Sequence, residues 1–124
     1  MTKYTYSTIS ESVLRMFPEL GRELEPLHTN SDGYVMPYLL FGLILRPEIE
    51  LALQKGDSTF LTKVFELLEA MALSDDREVV NLLYVEILEP WLGSPGGLTK
   101  FLRARLGIAT MKLADTIRFE SLYE

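Results

Sequence analysis

Two runs of helical periodicity separated by three turn-forming residues constrain this chain more than any other feature. Phe60, Leu61, Val64, Phe65, Leu68, Met71 and Ala72 recur at the i, i+3, i+4, i+7 spacing that lines one face of a helix. After Ser74, Asp75 and Asp76 the pattern restarts with Val79, Val80, Leu83, Tyr84, Ile87, Leu88 and Trp91. Asp57-Ser58 and Ser74-Asp75-Asp76 offer side-chain oxygens to the free N–H groups at the two helix starts, and carboxylates suit the positive end of the dipole. So short a link predicts an antiparallel helical hairpin over residues 57–91. At roughly 100° per residue, Val80, Leu83, Tyr84, Ile87 and Trp91 share the inward face of the second helix. Glu78, Leu82, Val85 and Glu89 fall on the opposite line, with Asn81 and Glu86 beside them. Leu82 and Val85 are therefore apolar among carboxylates. Either a further neighbour covers them, or they form an apolar centre with an acidic rim, the anatomy of a protein-binding patch.

The rest of the chain also reads as helical. Residues 1–9 form an irregular or extended lead-in. Ser10 is placed to cap a short helix through Phe17, with Val13, Leu14 and Phe17 inward. Pro18 opens a second short helix to Glu25, with Leu20 and Leu24 four residues apart, and Pro26 ends it. His28 to Gly33 is a loop rich in turn formers. Residues 35–55 are apolar nearly all round up to Leu45, and Pro47 predicts a kink or a division into two helices, with Arg46 outside regular geometry. Gly56 suits a C-terminal cap. Gly93-Ser94-Pro95-Gly96-Gly97 is a flexible joint, followed by a short helix from Thr99 to Leu106 and a last one from Ile108 to Leu122. No segment alternates like a strand. The expectation is a single all-α domain over residues 1–124, of about six to seven helices in antiparallel hairpins.

Charge narrows the partners. The chain has 12 basic and 18 acidic residues, a net charge of −6. From Glu48 to Glu89 ten acids face only Lys55, Lys63 and Arg77, whereas from Lys100 onward bases outnumber acids five to three. Residues 48–89 thus hold more than the whole net negative charge. Such a field repels nucleic acid and attracts basic proteins. With no cysteine there is neither a disulfide nor a thiolate metal site. The amino terminus has no apolar core of a signal peptide, and the longest apolar run, Val35 to Leu45, is too short for a membrane span. A cytoplasmic protein without membrane contact is expected.

Little in the sequence is suited to chemistry. His28 is the one histidine, in a polar loop without the companions of a catalytic base. Asp75-Asp76-Arg77-Glu78 lacks the spacing of a calcium loop, and the glycine-rich 93–97 stretch lacks the Lys-Ser/Thr pair of a phosphate loop. Lys100, Arg103 and Arg105 have one aromatic among them, Phe101, which the helical pattern turns inward, so they read as a solvated helix face rather than a nucleic-acid site. No catalytic residue, metal ligand or cofactor site is assigned, and an enzyme is not expected.

The hairpin also resembles a known kind of protein. Gly56-Asp57, Val64-Phe65-Glu66-Leu67-Leu68-Glu69-Ala70-Met71, Ser74-Asp75-Asp76-Arg77-Glu78-Val79-Val80-Asn81-Leu82-Leu83 and Glu86-Ile87-Leu88-Glu89, with Pro37-Tyr38-Leu39-Leu40-Phe41-Gly42 upstream, are similar to small helical immunity proteins. These belong to bacterial polymorphic toxin systems, including contact-dependent growth inhibition. The resemblance spans residues 35–92. It implies a compact, HEAT-like helical array that neutralises a cognate toxin domain as a monomer or 1:1 complex. Many such toxins are basic nucleases, and an acidic binder suits them. No contact residue carries over from a motif. Charge and exposure instead nominate Asp75, Asp76, Glu78, Glu86 and Glu89, then Glu66 and Glu69, with the loop at Asp32 and Tyr34 as the next candidate. The alternatives are a helical adaptor or regulator without a toxin partner, a DNA mimic, and a carboxylate-only enzyme.

Overall fold

The computed structural model describes residues 4–24, 34–93 and 105–121. Among them are five helices and no strand: α1 (Ile9–Met16), α2 (residues 37–55), α3 (Ser58–Ala72), α4 (residues 77–93) and α5 (Ile108–Ser121). Residues 28–33 and 94–104, where the sequence predicts two loops and most of a short helix, lie outside the described residues.

The hairpin forms as its local signals dictate. Gly56 ends α2 in the left-handed region, at φ 72°, where a side chain would be strained. Asp57 accepts from Phe60 N–H at 3.2 Å and so caps α3. Asp76 caps α4 by accepting from Glu78 N–H at 3.0 Å. The helices pack through Leu61, Val64, Leu68, Met71, Val79 and Leu83, all fully buried. α3 packs on α2, α4 and α5. The start of the chain is fastened to the α3–α4 turn, because Tyr6 N–H donates to Asp76 Oδ2 at 2.8 Å and Ser74 Oγ donates to Tyr4 O at 3.1 Å.

Three local expectations are corrected. α1 starts one residue before Ser10, with Thr8 at the cap position. A turn from Thr5 to Thr8 starts the helix early, and Ile9 is fully buried as a result. Ser10 becomes a buried helical residue. The segment after Pro18 is a tight 3-10 helix, Pro18–Glu23, not an α-helix to Glu25.

The third correction concerns Pro47. α2 is not interrupted there, and Arg46 is helical, at φ −59° and ψ −48°. Upstream of the proline the helix widens into a π segment, Leu40–Leu45, in which Arg46 N–H reaches back five residues to Phe41 O. α4 repeats the device ahead of Pro90, with a π segment at Tyr84–Leu88 and Glu89 N–H bonded to Tyr84 O. Widening admits one extra residue per turn and turns everything downstream by roughly 100°. The burial pattern records it: Leu82 and Leu83 are buried, and so are Ile87 and Leu88, five residues on. Leu82 is core, on one face with Val79 and Leu83 ahead of the π segment, so of the two readings open for it the covered one holds, and Val85 is half-buried.

The two widened segments pack against each other, and Arg46 lies at their junction. The carbonyl of Glu86 would find its α-helical donor at residue 90, and that of Gly42 its next i+5 donor at residue 47. Both are prolines without an N–H. Arg46 supplies the missing donors: its Nε bonds Glu86 O at 2.9 Å and its Nη2 bonds Gly42 O at 3.2 Å. Glu50 Oε1 accepts from Arg46 Nη1 at 3.3 Å and from Trp91 Nε1 at 3.1 Å. Gly42 permits the contact, since a Cβ there would collide with the Glu86 carboxylate.

Candidate protein-binding face

The nominated acids fall into three settings. Asp75, Asp76 and Glu78 gather where the α3–α4 turn enters α4. Asp76 is half-buried and holds two backbone N–H groups, one per carboxylate oxygen, so it orders the turn from within. Asp75 and Glu78 are exposed.

Beside them is a tyrosine cluster that periodicity did not single out. The rings of Tyr6 and Tyr38 lie 6.0 Å apart at 55°, Tyr34 donates to Tyr6 O at 3.2 Å, and Asn81 Nδ2 donates to Tyr38 Oη at 2.7 Å. Burial, then the neighbouring phenols of Tyr34 and Tyr38 and the carboxylate of Glu78, raise the Tyr6 pKa above its ordinary value. Tyrosines beside exposed carboxylates suit a protein interface, because each ring gives a large contact area and a polar tip. The signal available in the sequence was Asn81, a polar residue paired with no neighbour on its own helix. Its partner Tyr38 is 43 positions away and invisible to a local pattern.

The second setting is Glu86, half-buried against Gly42 on the π junction, and Glu89, exposed beyond it. A straight helix would align Glu89 with Glu78. The extra residue of the π segment turns it away by roughly a quarter of the circumference.

The third setting is α3. Glu66 is exposed, whereas Glu69 is committed within the fold. Its carboxylate accepts from Ala109 N–H at 2.8 Å, Thr110 N–H at 2.9 Å and Thr110 Oγ1 at 2.9 Å, capping α5 from another helix. Burial alone would raise its pKa. The three hydrogen bonds outweigh that and hold it below the ordinary carboxylate value. Gly107 is where the approach needs no side chain, because a Cβ would strike the Glu69 carboxylate. Glu66 and Glu69 line a cavity of about 370 Å³ together with Arg105 and Phe65.

Tyr34 is 37% exposed, and Asp32 lies outside the described residues. Among the described residues no cluster of three His, Asp or Glu side chains could hold a metal ion, and no helix is long and apolar enough to cross a membrane. The face thus sets the exposed carboxylates of Asp75 and Glu78 beside the hydrogen-bonded tyrosine cluster.

No curated protein and no solved structure matches the chain. The model of a family described as a domain of unknown function, DUF7674, matches residues 10–118, and the chain belongs to that family.

Proposed function

We propose that this protein is a non-enzymatic binder of the immunity type, which neutralises a basic, nuclease-type toxin domain by occupying it as a monomer in a 1:1 complex. The observation that carries the reading is the charge of the central hairpin and the end of the helix before it, where ten acids oppose three bases from Glu48 to Glu89. Glu66, Asp75, Glu78 and Glu89 expose their side chains on its two helices and the turn between. A toxin that binds phosphate backbones is itself basic, so an acidic binder is steered to it over long range and competes for the same surface. Inhibition of this kind needs rigidity and no chemistry of its own. The hairpin, read as part of a HEAT-like array of six to seven helices, supplies it. Action inside the producing cell, in the cytoplasm, follows from the same reading.

The test is to co-express the chain with the basic domain encoded beside it and measure association and dissociation rates. Glu78→Lys with Glu89→Lys should leave the fold intact, since both side chains are exposed, and should slow association. Raising salt from about 0.05 to 0.5 M should weaken the parent complex more than the variant, because screening acts on charges the variant no longer carries. Unchanged rates in a folded double variant would remove the acidic face from the interface.

A further inference from the structure

Between α1 and the segment entering α2 is a cavity of about 280 Å³, lined by Ser7, Ser10, Glu11, Leu14, Tyr34 and Val35. Ligand pockets usually enclose about 300–1,000 Å³, so this one suits a single long side chain better than a cofactor. Its lining is specific. Ser10 is 2% exposed, and its hydroxyl has no hydrogen-bond partner, although buried polar groups are almost always satisfied. Leu14 and Val35 are apolar and half-buried. The Tyr34 ring is held by its bond to Tyr6 O. Glu11 is exposed and carries Arg15 Nη2 on its carboxylate at 2.7 Å, with both side chains more than 70% exposed.

We propose that this cavity is the socket for one arginine side chain of a basic partner protein. Once the Ser10 side chain rotates about χ1 to bring its buried Oγ to the cavity, the guanidinium donates to it, its charge is balanced by Glu11, and its plane lies against the Tyr34 ring. A planar, weakly hydrated guanidinium with five donors and an apolar stem matches such a lining, and arginine stacks on aromatic faces more often than lysine. Arg15 shows that Glu11 accepts a guanidinium from the solvent side. A largely exposed pair is weak enough to be exchanged for an incoming one. The inference rests on the partner being basic, as proposed above, but uses neither Glu78 nor Glu89.

The experiment follows backbone amide shifts of the full chain during titration with N-acetyl-arginine N-methylamide and with the uncharged citrulline isostere. The arginine probe should move the amides of residues 7–14 and 34–35 saturably, and the citrulline probe should bind at least tenfold more weakly. Glu11→Gln should weaken binding several-fold and Arg15→Ala, which removes the competitor, should tighten it. Ser10→Ala should weaken it with the remaining spectrum unchanged. Equal affinity for the two probes, or no saturable shift at these residues, would overturn the socket. Shifts confined to α3 and α4 would overturn it too while leaving the acidic-face reading standing. A socket that fills normally in the Glu78→Lys, Glu89→Lys variant holds whatever that variant does to partner binding.

Discussion

Replacing Arg46 by methionine removes the donors that serve the Glu86 and Gly42 carbonyls, one ahead of each proline, while keeping a stem of similar length in place. A hydrogen bond from a charged donor contributes about 1.5–3 kcal/mol, and an acceptor left buried and unpaired costs a comparable amount. Arg46 bonds Glu86 O and Gly42 O, so full loss of both would come to roughly 3–6 kcal/mol. The Arg46 side chain is 26% exposed, which lets water replace part of what is lost. The expected cost is about 2–4 kcal/mol, a large share of the roughly 5–15 kcal/mol that holds a domain folded. Urea unfolding followed by circular dichroism reads it as a lower midpoint at unchanged slope. Arg46→Lys should recover only part, since a point charge cannot span both carbonyls as the planar fork does. The decisive control is Pro90→Ala, which returns an N–H to the helix opposite Glu86 O. In that background Arg46→Met should cost clearly less than in the parent, a coupling of about 1 kcal/mol or more in a double-mutant cycle. A cost below about 0.5 kcal/mol, or strict additivity with Pro90→Ala, would refute the idea that the arginine completes the proline-broken helices.

Leu82→Ala should destabilise by about 2–5 kcal/mol, as much as Leu83→Ala or Phe65→Ala, whereas Glu66→Gln should change stability by less than about 0.5 kcal/mol; equal midpoints for all four would erase the distinction between core and surface. Glu69 has a folded pKa below its unfolded value, so its stabilisation is present above about pH 4.5 and is lost as pH falls through the folded pKa. Glu69→Gln should therefore be less stable than the parent at neutral pH, and the gap should close under acid. A gap that stayed constant in stability measurements from pH 7 to 3 would remove Glu69 as an ionised cap.

Much of the hairpin was legible because its instructions are local. Gly56, Asp57 and Asp76 each act on a backbone group within four residues, and the spacing of Leu61, Val64, Leu68 and Met71 carries the buried face of α3 directly. The reading failed where a residue answers to something distant. Pro47 reads as a break until Arg46 is seen bonding a carbonyl 40 positions away. Leu82 stays open between covered and exposed because its wheel is fitted through Ile87 and Trp91, across a π turn that an unbroken 3.6-residue period cannot anticipate. Glu69 reads as a surface acid because the helix start it caps lies 40 residues on. Ser10 reads as a cap because nothing local announces the Thr5–Thr8 turn before it.

The bonds between Tyr4, Tyr6 and the Ser74–Asp76 turn join residues 70 apart in sequence, and that separation has a kinetic meaning. Closing so long a loop costs configurational entropy before any contact repays it, whereas the α3–α4 hairpin closes over four residues. The hairpin should therefore form in the folding transition state and the amino-terminal strap should dock after it. Ser74→Ala, which cuts the hydroxyl bond to Tyr4 O, should then speed unfolding and leave the folding rate nearly unchanged. A chevron whose folding arm falls by the full loss of stability would instead place the strap in the nucleus. If the strap docks late, the tyrosine cluster that Tyr6 completes assembles last, so that face takes shape only once the core is in place.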